Sequence, residues 1–158
     1  MNFLQDVNEV WQYVLVFLLG SIPWVEIAAI IPIAIIVAGM NPILVGLLAL
    51  LGNLATVYLV ILFFEKFKQW RTSKKGAGNG KSKRRERAEA AWNKYGMPGL
   101  ALLGPLLIGS HIAAFVGILF GAKKRNAVIW MTLSLIVWTA VLTIASHYGI
   151  NVIDFIRG

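Results

Sequence analysis

The chain has 158 residues, of which 58% are hydrophobic and 14% charged, and a net charge of +8. With a mean hydropathy of +0.73 it is too apolar for a soluble domain, and its length leaves room for one compact unit. The absence of cysteine excludes disulfides, thiolate metal sites and thiol redox chemistry. The expected class is an all-α integral membrane protein of the cell membrane.

Residues 1 to 14 place Phe3, Leu4, Val7, Val10, Trp11 and Val14 at helical spacing, with Asp6, Asn8, Glu9 and Gln12 between them. This predicts an interfacial helix, with Trp11 and Tyr13 at the headgroup level. Asp6 and Glu9 stand where a secretory signal carries Lys or Arg, so the N-terminus is expected to be retained. Residues 15–38 are apolar but interrupted at Gly20-Ser21-Ile22-Pro23 and at Pro32, which predicts two half-length helices in a broken hairpin. Glu26 lies inside that hairpin, and a charge in hydrocarbon costs several kcal/mol unless it faces protein or water.

Residues 43–64 carry no charge over twenty-two positions, enough at about 1.5 Å per residue to cross a core of about 30 Å. Gly46, Ala49, Gly52 and Asn53 share one stripe of this span, where another helix can approach. Residues 65–83 form a basic linker rich in Gly, Ser and Lys. Ala88, Ala91, Trp92 and Tyr95 predict an amphipathic helix over 84–95. Residues 97–120 are apolar and broken again, by Pro98, Gly99, Gly104, Pro105 and Gly109-Ser110-His111. After the basic turn at 121–125, residues 126–147 form a second clean span, and 148–158 a short tail.

Glu65 to Lys94 hold eleven Lys/Arg against three Glu, which accounts for the whole net charge. That clustering beside a span fits cytoplasmic orientation and anionic headgroups rather than nucleic acid. Both basic segments, 65–94 and 121–125, are cytoplasmic if residues 97–120 enter and leave on one side, with both termini outside. The order of interfacial helix, broken re-entrant hairpin, Gly turn and transmembrane helix then occurs at 1–64 and again at 84–147. An offset of 82 superposes Tyr13 on Tyr95, Pro23 on Pro105 and Gly39 on Gly121. Such an inverted repeat is a transporter plan.

Glu26 can bind and release a proton or pair with a cation, or its oxygens can cap the amides of a hairpin tip. Ser110 and His111 sit at the second break, where His111 would face Glu26 if the hairpins meet, as a proton relay, a substrate contact or a structural residue. Asn53 offers hydrogen bonds between helices. Pro32 and Pro105 break helices and free carbonyls toward a cavity. One His and one Glu make no metal shell, no cofactor motif is present and no catalytic set appears, so an enzyme is not expected.

Glu26-Ile-Ala-Ala-Ile-Ile-Pro32-Ile-Ala resembles the first hairpin of the putative small multidrug export proteins, where a Glu stands six residues before a Pro. Lys94-Tyr95-Gly96 leading into Gly104-Pro105-Leu-Leu-Ile-Gly109 is similar to the DedA superfamily. The resemblance implies an inverted-repeat membrane protein active in export or in lipid movement, with Glu26 and Pro32 matching one motif and Pro105 the other. It departs at Ala28, where the family carries Arg, and at Ile108 and His111, near which DedA-type arginines are absent. The expected function is proton-coupled export of a small amphipathic or cationic solute through a site near Glu26. A DedA-like lipid scramblase or flippase is the alternative, and a non-transporting membrane scaffold the second. Two clean spans give little wall around a cavity, so a homodimer or larger homo-oligomer in the bilayer is expected.

Overall fold

The two charge-free runs form the two long helices of the protein. In a computed structural model that describes residues 3–23, 25–72, 92, 95–105 and 108–157, every element is helical and no strand occurs among the described residues. The elements are α1 (Phe3–Gly20), α2 (Ile27–Pro32) continued by a π turn (Ile33–Val37), α3 (Pro42–Thr72), α4 (95–105), α5 (Ser110–Leu119) and α6 (Lys124–Arg157). Pro42–Phe64 of α3 and Lys124–Gly149 of α6 are long and apolar enough to cross a membrane.

Local chemistry fixes the ends. Asn41 caps α3 through Oδ1, which accepts from the amides of Ile43 at 3.0 Å and Leu44 at 3.2 Å, while Pro42 at the first helical position gives up no needed donor. Gly121 closes α5 with φ +99°, and the Ala122 and Gly121 amides bond back to the carbonyls of Gly117 and Ile118. Gly39 closes the π turn in the same way with φ +65°, but there Met40 reaches back six residues to Ala34.

Three boundaries differ from the sequence expectation. No Pro or Gly interrupts residues 3–19, so the interfacial helix and the first arm of the hairpin 15–38 are one continuous α1. Pro32 does not break its helix. The helix runs on through it into the π turn, with the Ile33 N–H on the Ala29 and Ile30 carbonyls and the Ala38 N–H on the Ile33 carbonyl. Residues 148–157 extend α6 rather than forming a separate tail. The amphipathic helix expected over 84–95 lies outside the described residues except for Trp92 and Tyr95, as does the linker beyond Thr72.

The chain divides into two compact units, residues 1–56 with 135–158, and residues 57–134. In the first, α2 and its π turn bury Ile27, Ile30, Ile31, Ala34 and Ile35, the i, i+3, i+4 face of a helix. The predicted small-residue stripe of α3 is where neighbours come close: a Cβ on Gly52 would stand 3.0 Å from Ser21 Oγ, and one on Gly46 2.7 Å from Thr143 Oγ1. In the second unit, Phe64 meets Phe115 edge to face at 4.8 Å, and Tyr58 O–H donates to Thr132 Oγ1 at 2.7 Å. Thr132 passes its own proton to the Val128 carbonyl.

Polarity is distributed inside out. Leu47, Leu51, Leu59 and Leu62 of α3 and Ile136, Val137, Val141 and Ile144 of α6 are exposed, whereas Asn53, Ser110, His111, Ser134, Thr139 and Ser146 are buried. An apolar exterior around buried polar groups suits a bilayer as solvent.

Candidate functional site

Each broken segment has the same construction: an outer helix, a proline, a short non-helical stretch and a short inner helix. In the first unit α1 ends with Ser21, whose amide and hydroxyl both donate to the Phe17 carbonyl, at 3.0 and 2.9 Å. Pro23 would leave the Leu19 carbonyl without its helical donor, and the Ile22 amide takes that place at 3.0 Å. Glu26 follows in extended conformation (φ −88°, ψ 148°) as the N-cap of α2, half-buried, with its carbonyl accepting from Ala29 and Ile30. Its carboxylate makes no capping bond to α2.

In the second unit α4 ends at Pro105, and the carbonyl deprived of a donor is that of Ala101. Ser134 of α6 supplies the bond through its hydroxyl. The carbonyl freed by Pro105 is thus taken up inside the protein instead of being offered to a cavity, a correction to the sequence expectation. Gly104 O accepts from both Ile108 and Gly109 amides, and Gly109, at φ +93°, starts α5. Ser110 is fully buried and His111 nearly so, with Ser110 Oγ 3.2 Å from His111 Nδ1.

The inner helices equate Glu26 with Gly109 and Ile27 with Ser110, an offset of 83, while the flanking prolines, glycines and span starts keep the offset of 82. Glu26 stands three positions after Pro23 and Gly109 four after Pro105, and the π turn restores the count before Gly39. Glu26 and the Ser110-His111 pair consequently sit at equivalent places, the start of each inner helix. Glu26, Pro32 and Asn53 belong to the first unit, and Pro105, Ser110 and His111 to the second. Asn53 is fully buried on α3, next to the Gly52 on which the end of α1 rests.

Sequence reasoning passed over the polar groups of the second span. Thr132, Thr139, Thr143 and Ser146 recur at helical spacing, a signal legible in the sequence. Thr139 and Thr143 place buried hydroxyls without a hydrogen-bond partner at the Gly46 crossing. Among the described residues no three His, Cys, Asp or Glu gather as a metal site.

No curated protein and no solved structure matches the chain. One family model does, described as putative small multi-drug export protein, and it covers residues 26–141, from Glu26 through the second break and into the second span. Together with the two membrane-length helices this puts the chain in a membrane. A match over that much of its length means that the chain belongs to the small multi-drug export protein family.

Proposed function

We propose that the protein is a small membrane transporter that exports an amphipathic or cationic solute, with Glu26 as the proton- or cation-binding group. The observation that carries this reading is the placement of the chemistry: the only carboxylate between Leu15 and Phe64 stands at the start of one inner helix, and Ser110 and His111 at the start of the other. Broken half-helices whose N-terminal ends meet polar substrates near mid-membrane are a recurring transporter device. The reading takes the two halves as inverted, re-entrant repeats with both basic segments cytoplasmic, and takes a homodimer as the working assembly. His111 and Ser110 then contribute a proton relay or substrate contacts, with Asn53 and the turns at Pro32 and Pro105 shaping the path.

Flux of a fluorescent organic cation across proteoliposomes under an imposed pH gradient tests it, with wild type, Glu26→Gln and Glu26→Asp compared. Saturable, gradient-dependent flux that is lost in Glu26→Gln and partly kept in Glu26→Asp is expected. Wild-type flux in Glu26→Gln removes Glu26 from the mechanism. Protein-dependent exchange of fluorescent lipid between leaflets without a gradient moves the assignment to lipid scrambling.

A further inference from the structure

Two cavities in the second unit adjoin each other at Trp92. The first, of about 320 Å³, is walled by apolar groups of α4 and α5, among them Leu100, Leu103, Ile108, Val116 and Phe120. Its volume is at the small end of ligand clefts, and along α4 it runs from Tyr95 to Gly104, about 14 Å at the helical rise. The second, of about 700 Å³, is lined by Lys123, Arg125 and Asn126 together with Trp130, with no carboxylate among the described residues that line it. Trp92 stacks on Phe120 at 5.8 Å and contributes to both.

The cations are placed against local electrostatics. Lys123, Lys124 and Arg125 open α6, whose first turn holds no acidic residue, yet a helix N-terminus carries partial positive charge and disfavours cations. Lys123 and Arg125, which line the cavity, gain from a bound anion there. They also mark the end of the Lys124–Gly149 span, where headgroups lie. A cationic pocket at headgroup level, joined through an aromatic hinge to an apolar channel, has the polarity of one molecule: a phospholipid with an anionic headgroup.

We propose that this face holds one anionic phospholipid of the surrounding leaflet, its phosphate at Lys123 and Arg125 and one acyl chain along α4 against Val116 and Phe120. The site depends on the membrane location and not on the transport reading, because it shares no residue with Glu26, Ser110 or His111. The lipid is a resident that braces α4 and α5 against the start of α6, rather than cargo.

Native mass spectrometry of the full chain released from nanodiscs of equimolar phosphatidylglycerol and phosphatidylcholine tests it. Wild type should retain one phosphatidylglycerol in preference to phosphatidylcholine, and excess inorganic phosphate should not displace it. Lys123→Gln with Arg125→Gln should cut that preference by roughly thirtyfold, from the contribution of about two interfacial cations. Lys124→Gln, which removes the same kind of charge outside the cavity lining, should leave it intact. Val116→Phe, which fills the channel, should lower retention of both lipids while the helical content stays unchanged. Equal retention of the two lipids by wild type, loss in Lys124→Gln as large as in the double variant, full retention in Val116→Phe, or displacement by free phosphate would each overturn the proposal.

Discussion

The bond from Ser134 to the Ala101 carbonyl gives a sharp test of how this protein tolerates proline in a membrane. Ala101 is 1% exposed and Ser134 5%, so neither group reaches water. Ser134→Ala strands a buried carbonyl, at a general cost of about 1–3 kcal/mol, reduced in membrane proteins toward about 1–1.5 kcal/mol because the unfolded chain also finds partners. That is roughly a tenfold change in the unfolding constant. The decisive variant is the second one. Pro105→Ala restores an N–H four residues after Ala101, so the carbonyl regains its helical donor and no longer needs Ser134. In that background Ser134→Ala should cost less than about 0.5 kcal/mol, a coupling of about 1 kcal/mol between the two positions. Reversible unfolding in mixed micelles, followed by circular dichroism as dodecyl sulfate is titrated, measures all four corners of the cycle. An equal cost of Ser134→Ala in both backgrounds would refute the argument.

Three further outcomes follow from the same geometry. Neither Gly39 nor Gly121 has an atom within 4 Å of an added Cβ, so alanine there is opposed by backbone alone: about 1–2 kcal/mol at Gly39 and more at Gly121, whose φ of +99° lies beyond the left-handed helical region. Gly39→Asn should be milder than Gly39→Ala in the same unfolding assay. Gly52→Ala should cost more than about 2 kcal/mol, because its Cβ meets the Phe17 carbonyl and Ser21, whereas Gly149→Ala, facing only Ile36 at 3.6 Å, should be neutral or stabilising by up to about 1 kcal/mol. Tyr58→Phe removes the bond to Thr132 but leaves Thr132 its Val128 acceptor, so a loss of about 0.5–1 kcal/mol is expected, below that of Ser134→Ala.

The spans were legible because a helix that faces water carries charge on its wet side, and a run of twenty-two residues without any fits a bilayer instead; the observed α3 and α6 contain the predicted stretches 43–64 and 126–147. The Gly/Pro breaks near 20–23 and 105–109 were legible because proline withdraws a donor wherever it stands. What proline does next was not. The carbonyl freed by Pro23 is met by a backbone amide and that freed by Pro105 by a serine 33 residues away, while at Pro32 the helix runs on into a π turn, outcomes that the local sequence does not name. Glu26 stood out as the one charged residue in an apolar run, yet its position as an extended N-cap depends on the count of residues after Pro23. Ser134 drew no attention because a serine in a span is ordinary until the carbonyl that needs it is known.

The change of offset between the halves bears on where function can reside. On the spans, Val45, Ala49, Gly52, Asn53 and Val57 are buried, and so at an offset of 82 are Ala127, Met131, Ser134, Leu135 and Thr139. Sliding one span by a single residue would rotate its buried face by about 100° and carry Asn53 toward lipid. The register of the spans is therefore constrained by burial. The inner helices are displaced by one residue relative to that register, and the displacement is cancelled by the π turn before the next glycine, so none of it reaches α3. Pro32, the residue that accompanies the widened turn, has no counterpart in the second half, where at the inner-helix offset Phe115 stands and packs on Phe64. A half that can take up an extra residue inside its inner arm can change what stands at the start of that arm without disturbing its packing. That is the position where one half carries Glu26 and the other Gly109 followed by Ser110 and His111, and it explains how two arms of common construction come to hold different chemistry.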